Sequence, residues 1–298
     1  MKTRLLLTMV FCVAVAAMTL QPVLALDKEL GIGSKAPPLD IEHWVQDGNG
    51  FFKPVTEFKD GKVYVVEFWA TWCGPCIASM PHLAEVQNKY RGRGVQIVSV
   101  SDETLDEVKD LLGQEIELVG KTFQEITSAY SLTADPDRSV HEDYMEASGQ
   151  NGIPTSFIVG KTGQIEWIGH PAQIDGPLQK VVDGNWDRQA AIKAKDQQQR
   201  LKALAPSLNK WVASKQWDSV FTELDEIEAE TGNSADLMFV RLSVLPLAGR
   251  EQEAIPLRDR LVGFAWDDAA TLHASAWTLA SSGPSNGLDS ALRAAERA

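Results

Sequence analysis

The chain is poor in the residues that staple a fold, bind metals or meet nucleic acid. Its 298 residues include three cysteines, five histidines and four tyrosines. Three cysteines do not make the framework of a disulfide scaffold, and 22 glycines and 14 prolines are too few for a collagenous or low-complexity chain. Basic residues are short as well: 28 Lys and Arg against 41 Asp and Glu leave a formal charge of −13. Phosphate attraction needs clustered cations, so the charge argues against nucleic-acid binding as the main role. After residue 25 no apolar run approaches the ~20 residues of a membrane span.

What is present is unevenly divided. Residues 26–186 hold 25 acidic and 13 basic side chains, whereas residues 187–298 hold 16 and 13. Seventeen of the 22 glycines and all four tyrosines precede Asp187. Two domains of different character are expected, 26–186 and 187–298, after a signal segment at 1–25. That segment has the layout of a secretory signal peptide: Lys2 and Arg4, an apolar run over 5–20, then Val23-Leu24-Ala25. Cleavage after Ala25 is expected and implies export across the inner membrane to an extracytoplasmic, periplasmic space; an uncleaved anchor is the alternative. Cys12 leaves with the signal, so the mature chain keeps Cys73 and Cys76. A pair so close in sequence closes too small a loop to constrain an unfolded chain, and chemistry explains it better.

Strand signals fill the first domain. A short strand is expected over 39–45, buried strands over 63–68 and 95–100, and a further strand over 128–134. Between them, 76–90 has helical periodicity, with Ile77, Met80, Leu83, Ala84 and Val86 near one face. Residues 101–104 read as the cap of a helix reaching about residue 112. A helix over 139–147, a hairpin of 156–159 with 164–169, and a helix over 177–182 complete the pattern. This is an α/β chain: a mixed sheet with helices on both faces, followed by a smaller all-α domain. From about residue 189 strand signals vanish. Three stretches overlay at an offset of 34, matching Trp211 with Leu245 and Leu279, and Lys215 with Gly249 and Gly283. That period suggests tetratricopeptide-like repeats, with a generic helical tail as the alternative; Pro246 and Pro256 fit helix interiors poorly.

The chemistry centres on Trp72-Cys-Gly-Pro-Cys76. Two cysteines at i and i+3 at a helix start can form and break a disulfide with little backbone motion. The N-terminal partial charge and free N–H groups there favour a thiolate on Cys73. Cys73 is then the exposed nucleophile, and Cys76, one turn deeper, resolves the mixed disulfide. A zinc site would need further ligands, and no second cysteine pair or nearby Cys/His set exists. His43, His141, His170 and His273 show no metal spacing, and His82, two turns along the active-site helix, reads as a partly exposed helix residue rather than a ligand or base. Haem attachment would need His where Ile77 stands. No cofactor beyond the Cys73–Cys76 disulfide is expected, and an inert structural disulfide is the competing reading.

The segment Val66-Glu-Phe-Trp-Ala-Thr-Trp-Cys-Gly-Pro-Cys76 resembles the active-site segment of the thioredoxin superfamily. Pro81 falls where thioredoxins kink this helix, and Gly152-Ile-Pro154-Thr-Ser156 resembles the family's cis-proline loop. The insert over about 104–147 and the secretory start are similar to the extracytoplasmic TlpA/ResA-like redoxins. The resemblance, which covers roughly residues 30–183, implies a thioredoxin-like fold and a substrate-facing role for Trp72, Gly74, Pro75, Ile153 and Pro154. Glu67 stands where thioredoxin has a buried Asp, so it is expected to move the proton of Cys76; a carboxylate reaching water at a strand end is the alternative. Trp69 reads as core.

The resulting expectation is an extracytoplasmic thiol-disulfide oxidoreductase, more a reductase than an oxidant. Its partners would be protein disulfides or thiols, apocytochrome c thiols among them by resemblance, and a membrane thiol-disulfide electron donor. A second expectation is a partner-binding helical-repeat protein with an accessory redox domain. A third, a peroxiredoxin-type peroxidase, lacks the Pro-x-x-x-Thr-x-x-Cys element before Cys73.

Overall fold

A computed structural model describes residues 29–116, 120–264, 292, 295 and 296. The signal-like segment and the third 34-residue stretch lie outside the described residues.

Six strands form the main sheet: β1 (His43–Asp47), β2 (Val63–Trp69), β3 (Val95–Ser101), β6 (Ser131–Ala134), β7 (Thr155–Val159) and β8 (Ile165–Gly169), in the order β1-β6-β3-β2-β7-β8. A two-stranded ribbon, β4 (Glu115–Ile116) with β5 (Lys121–Thr122), stands apart. β2, β3 and β6 run parallel, while β1, β7 and β8 are antiparallel to their neighbours. β2 and β3 are buried along their whole length, as expected of central strands covered on both faces.

Alternation along β2 divides the core. Val63, Val65 and Trp69 meet Met80 and Leu83 of α1 (Gly74–Tyr90) and Leu178 and Val181 of α5 (Asp175–Asp183). Tyr64, Val66 and Phe68 face the other way, against Val140 of α4 (Ser139–His141) and Tyr144 and Met145 of the π-helical turn Glu142–Glu146 that continues it. On that second face Phe68, Tyr144 and Phe157 pack edge-on or tilted, with ring centroids 5.2–5.9 Å apart.

Local differences from the sequence reading have physical causes. Leu39 is a core anchor rather than a strand residue, and β1 begins only where His43 meets Ala134. The strand expected at 128–134 starts at Ser131, because a capping box of Thr122 and Glu125 first launches α3 (Phe123–Thr127). Thr104 alone caps α2 (Leu105–Leu112), boxed with Glu107, which frees Glu103 for another contact.

Beyond the sheet come α6 (Arg188–Ala213), α7 (Trp217–Thr231), α8 (Ala235–Val244) and α9 (Glu251–Phe264), around a core that includes Leu208, Leu224, Leu237 and Leu261. Lys215 and Gly249, matched by the 34-residue offset, both have positive φ (55° and 74°) in the turns before α7 and α9. The helices before those turns differ, at 26 residues for α6 and 10 for α8, so the two pairs are not equal units. Pro256 lies inside α9 after all, on its exposed side. α6 is fastened to the sheet: Arg188 Nε and Nη2 donate to the two oxygens of buried Glu166 on β8 at 2.8 and 2.5 Å, and Trp186 packs against the α1-side core.

Candidate active site

The site forms where β2 gives way to α1. Residues 70–72 turn the chain, held by the Cys73 N–H donating to the Ala70 carbonyl at 3.1 Å. Cys73 is the N-cap of α1, and its Sγ accepts the Cys76 N–H at 3.2 Å. Gly74 and Pro75 follow at the first two helical positions, where the missing N–H of proline leaves no helical bond unmade. Cys73 and Cys76 are joined in a disulfide with Cα atoms 5.2 Å apart, and Cys73, expected to be exposed, is only 4% exposed because its sulfur turns inward to cap α1. The helix then runs through Pro81.

The surroundings are asymmetric. Trp72 is 75% exposed and Trp69 only 2%, so one tryptophan is surface and the other core. The Ile153–Pro154 peptide bond is cis, and the preceding loop faces Trp72 across a cleft of about 610 Å³. Phe68, Met145 and Ile153 supply apolar walls. The polar wall is built by Arg138, which pairs with Asp102 and, at 3.3 Å, with Glu146. A Cβ added at Gly74 or Gly152 would meet no atom within 4 Å, so the surface at both positions is open.

Glu67 lies on the α1 face of β2 between Val65 and Trp69, and it is 1% exposed. The Ser99 hydroxyl, in register on β3, donates to its Oε2. Burial pushes the Glu67 carboxyl up to about 8, opposed by that hydrogen bond. The phenol of Tyr130, also fully buried, is pushed well above its ordinary range by burial and by the charge of Glu67. The alternative of a carboxylate reaching water at a strand end does not hold here.

Sequence reading missed Glu103. Its Oε2 accepts the Thr71 N–H at 2.6 Å and the Ser101 hydroxyl at 2.9 Å, while Oε1 accepts the Thr71 hydroxyl at 2.6 Å. The available signal was its position just past the C-terminal end of β3, the edge at which parallel strands deliver functional groups. His82, which the sequence places as a partly exposed helix residue, is half-buried and pairs with Asp175 at 3.0 Å. Among the described residues no three His, Cys, Asp or Glu side chains converge as metal ligands.

Residues 32–168 match the model of the AhpC/TSA family. Thiol-disulfide oxidoreductase ResA of Bacillus anthracis is 32% identical over 162 residues, which cover 52% of this chain and 82% of that protein. The chain belongs to this family of thiol-disulfide oxidoreductases. Protein FixW of Rhizobium leguminosarum is 29% identical over 158 residues, 53% of this chain and 68% of that one. A solved structure described as a putative thiol:disulfide interchange protein DsbE from Chlorobium tepidum is 25% identical and covers 51% of this chain and 99% of that one, with a TM-score of 0.38. The AhpC/TSA match ends before α6, so it leaves the helical region out.

Proposed function

We propose that this oxidoreductase reduces protein disulfides outside the cytoplasm, with Cys73 as nucleophile and Cys76 as resolving thiol. The observation that carries the reading is the placement of Cys73 Sγ as the N-cap acceptor of α1, where the Cys76 N–H and the helix dipole favour a thiolate. In the reduced enzyme the Cys73 thiolate attacks a substrate disulfide. One substrate sulfur leaves as a thiolate and takes up a proton, and a mixed disulfide forms on Cys73. Cys76 then gives its proton to Glu67 in the fraction of molecules in which that carboxyl, titrating near 8, is ionised, and attacks Cys73 Sγ, releasing the second substrate thiolate. The substrate gains two electrons and two protons, and the enzyme is left as the Cys73–Cys76 disulfide. A dithiol donor must reduce it again, and Glu67 then returns the proton to Cys76.

Trp72, Gly74, Pro75, Ile153 and Pro154 form the platform for the substrate segment. Exposed Trp72 offers flat apolar area at low conformational cost. The signal-like start supports an extracytoplasmic site of action, and in an oxidising compartment a membrane thiol donor would have to keep the couple reduced. Among the described residues no helix is long and apolar enough to cross a membrane. Residues 187–298 are proposed as a separate domain with a surface for a protein partner.

The test is to mix reduced protein with a disulfide-bonded protein and count the thiols released. Wild type should release two per enzyme dithiol. Cys76→Ser should stop at a mixed disulfide on Cys73, and unaltered release by Cys73→Ser would sink the assignment.

A second reading, a peroxidase, is disfavoured by the missing Pro-x-x-x-Thr-x-x-Cys element before Cys73. There the Cys73 thiolate would take one oxygen from a peroxide to become a sulfenic acid, and Cys76 would condense with it and release water. Hydrogen peroxide consumption as fast as disulfide reduction would favour this reading; a rate far below it would favour the reductase.

A further inference from the structure

Between buried Ala70 and the N-cap Cys73 the chain has little of its own to hold it. The Trp72 side chain extends into solvent, and the Cys73 N–H to Ala70 carbonyl bond spans the turn. The remaining anchor comes from outside the segment. Glu103, 32 residues away in sequence, uses both carboxylate oxygens on Thr71, and one of them also takes the Ser101 hydroxyl. Helix capping does not require this contact, because Thr104 and Glu107 complete the box at the start of α2 without Glu103. The end of β3 is thereby tied to the segment that carries the nucleophile.

We infer that Glu103 is a positioning residue for Cys73: its carboxylate clamps Thr71, fixes the N-cap geometry of the thiol, and tunes the thiol's titration through its charge. The inference rests on the dithiol reading above. Reach and valence explain the residue type. Two acceptor oxygens are needed for three donors, glutamine supplies only one, and aspartate is one methylene shorter. The two effects on Cys73 differ in sign. The clamp holds Sγ where the Cys76 N–H can stabilise a thiolate, whereas a carboxylate beside the segment opposes that thiolate. Removing the charge alone and loosening the clamp alone therefore have different signatures.

The test uses the reduced full chain and follows Cys73 alkylation by iodoacetamide against pH, together with exchange with a small disulfide at the high-pH plateau. Glu103→Ala is expected to slow plateau exchange by about tenfold, a modest share of what misplaced reacting groups can cost. Glu103→Gln, which keeps an acceptor for the Thr71 N–H, should recover most of that rate and move the Cys73 titration to lower pH. Thr71→Val, which keeps the charge and cuts one clamp bond, should slow exchange without lowering the titration midpoint. Glu125→Ala is the control, since Glu125 closes a similar hydrogen-bonded box with Thr122 remote in sequence from the disulfide. It should cost stability and leave both readouts unchanged.

A Glu103→Ala plateau rate within about twofold of wild type would overturn the inference. So would an unmoved midpoint in Glu103→Gln, or a loss in Glu125→Ala as large as that in Glu103→Ala. If Glu103→Ala does not fold, Glu103→Gln and Thr71→Val carry the same test. Failure of the dithiol reading is separate: it would appear as turnover by Cys73→Ser, while alkylation still reports the effect of Glu103 on Cys73.

Discussion

The Sγ of Cys73 accepts the backbone N–H of Cys76 at 3.2 Å, so the two cysteines are linked through the first turn of a helix as well as through their disulfide. The relationship makes the cysteines unequal, because only Cys73 occupies the N-cap. In the reduced protein Cys73 should be alkylated much faster than Cys76 near neutral pH. Peptide mass mapping after a short iodoacetamide pulse checks the order, and equal labelling would contradict it.

Glu67 sets a pH dependence whose sign follows from its burial. Its carboxyl titrates near 8 in the fold against 4.5 when unperturbed. Between those values the unfolded chain has lost a proton that the native chain keeps, so this group makes stability fall as pH rises from about 4.5 to about 8, and the fall levels off above that. Each pH unit across that window costs at most about 1.4 kcal/mol. Glu67→Gln should flatten the decline, as read from urea midpoints of the oxidised protein at about pH 5 and about pH 8.

Gly74 is a test of the substrate platform. It has ordinary helical geometry, and a Cβ there would touch nothing within 4 Å, so Gly74→Ala should leave stability within about 1 kcal/mol of wild type. A methyl group on the open surface beside the disulfide should hinder a protein substrate more than a small disulfide. The ratio of the two exchange rates is the readout, and an unchanged ratio would remove Gly74 from the platform.

Arg188→Ala strips the partner from a buried carboxylate. Glu166 has an 8% exposed side chain, while Arg188 is 30% exposed. Breaking such a pair costs about 2–3 kcal/mol, discounted from the fully buried case because the arginine is partly solvated. A double variant with Glu166→Gln should recover part of that loss, since the residue left behind is then uncharged. Denaturant midpoints of the three proteins decide the matter. The pair also bears on any truncation at residue 187, which leaves Glu166 buried and unpaired unless it too is changed.

The central strands, the nucleophile turn and the proline loop were legible because each is written in contiguous residues. Val63 to Phe68 reads as a buried strand, Trp72 to Cys76 as a redox turn, and Ile153-Pro154 as a cis bond by resemblance. Glu67 was legible for a different reason: a carboxylate in an apolar strand stands out. Its partner Ser99 was not, because it lies 32 residues away and depends on the register of β2 with β3. The Glu103–Thr71 clamp has the same separation and the same cause. The π-helical turn at Glu142–Glu146 was read as ordinary helix, since a one-residue change in hydrogen-bond span leaves the apolar periodicity almost intact. The docking of α6 on β8 includes the ion pair Arg188–Glu166, which no local pattern announces.

The most direct measurement is the reduction potential of the Cys73–Cys76 couple, from tryptophan fluorescence in defined dithiothreitol buffers. Reference couples run from about −270 mV for a thioredoxin-like reductant to about −120 mV for a strong oxidant. A protein that reduces substrate disulfides should show a single two-electron transition near the low end of that range. A transition near the high end would contradict the reductase and make the protein a donor of disulfides instead.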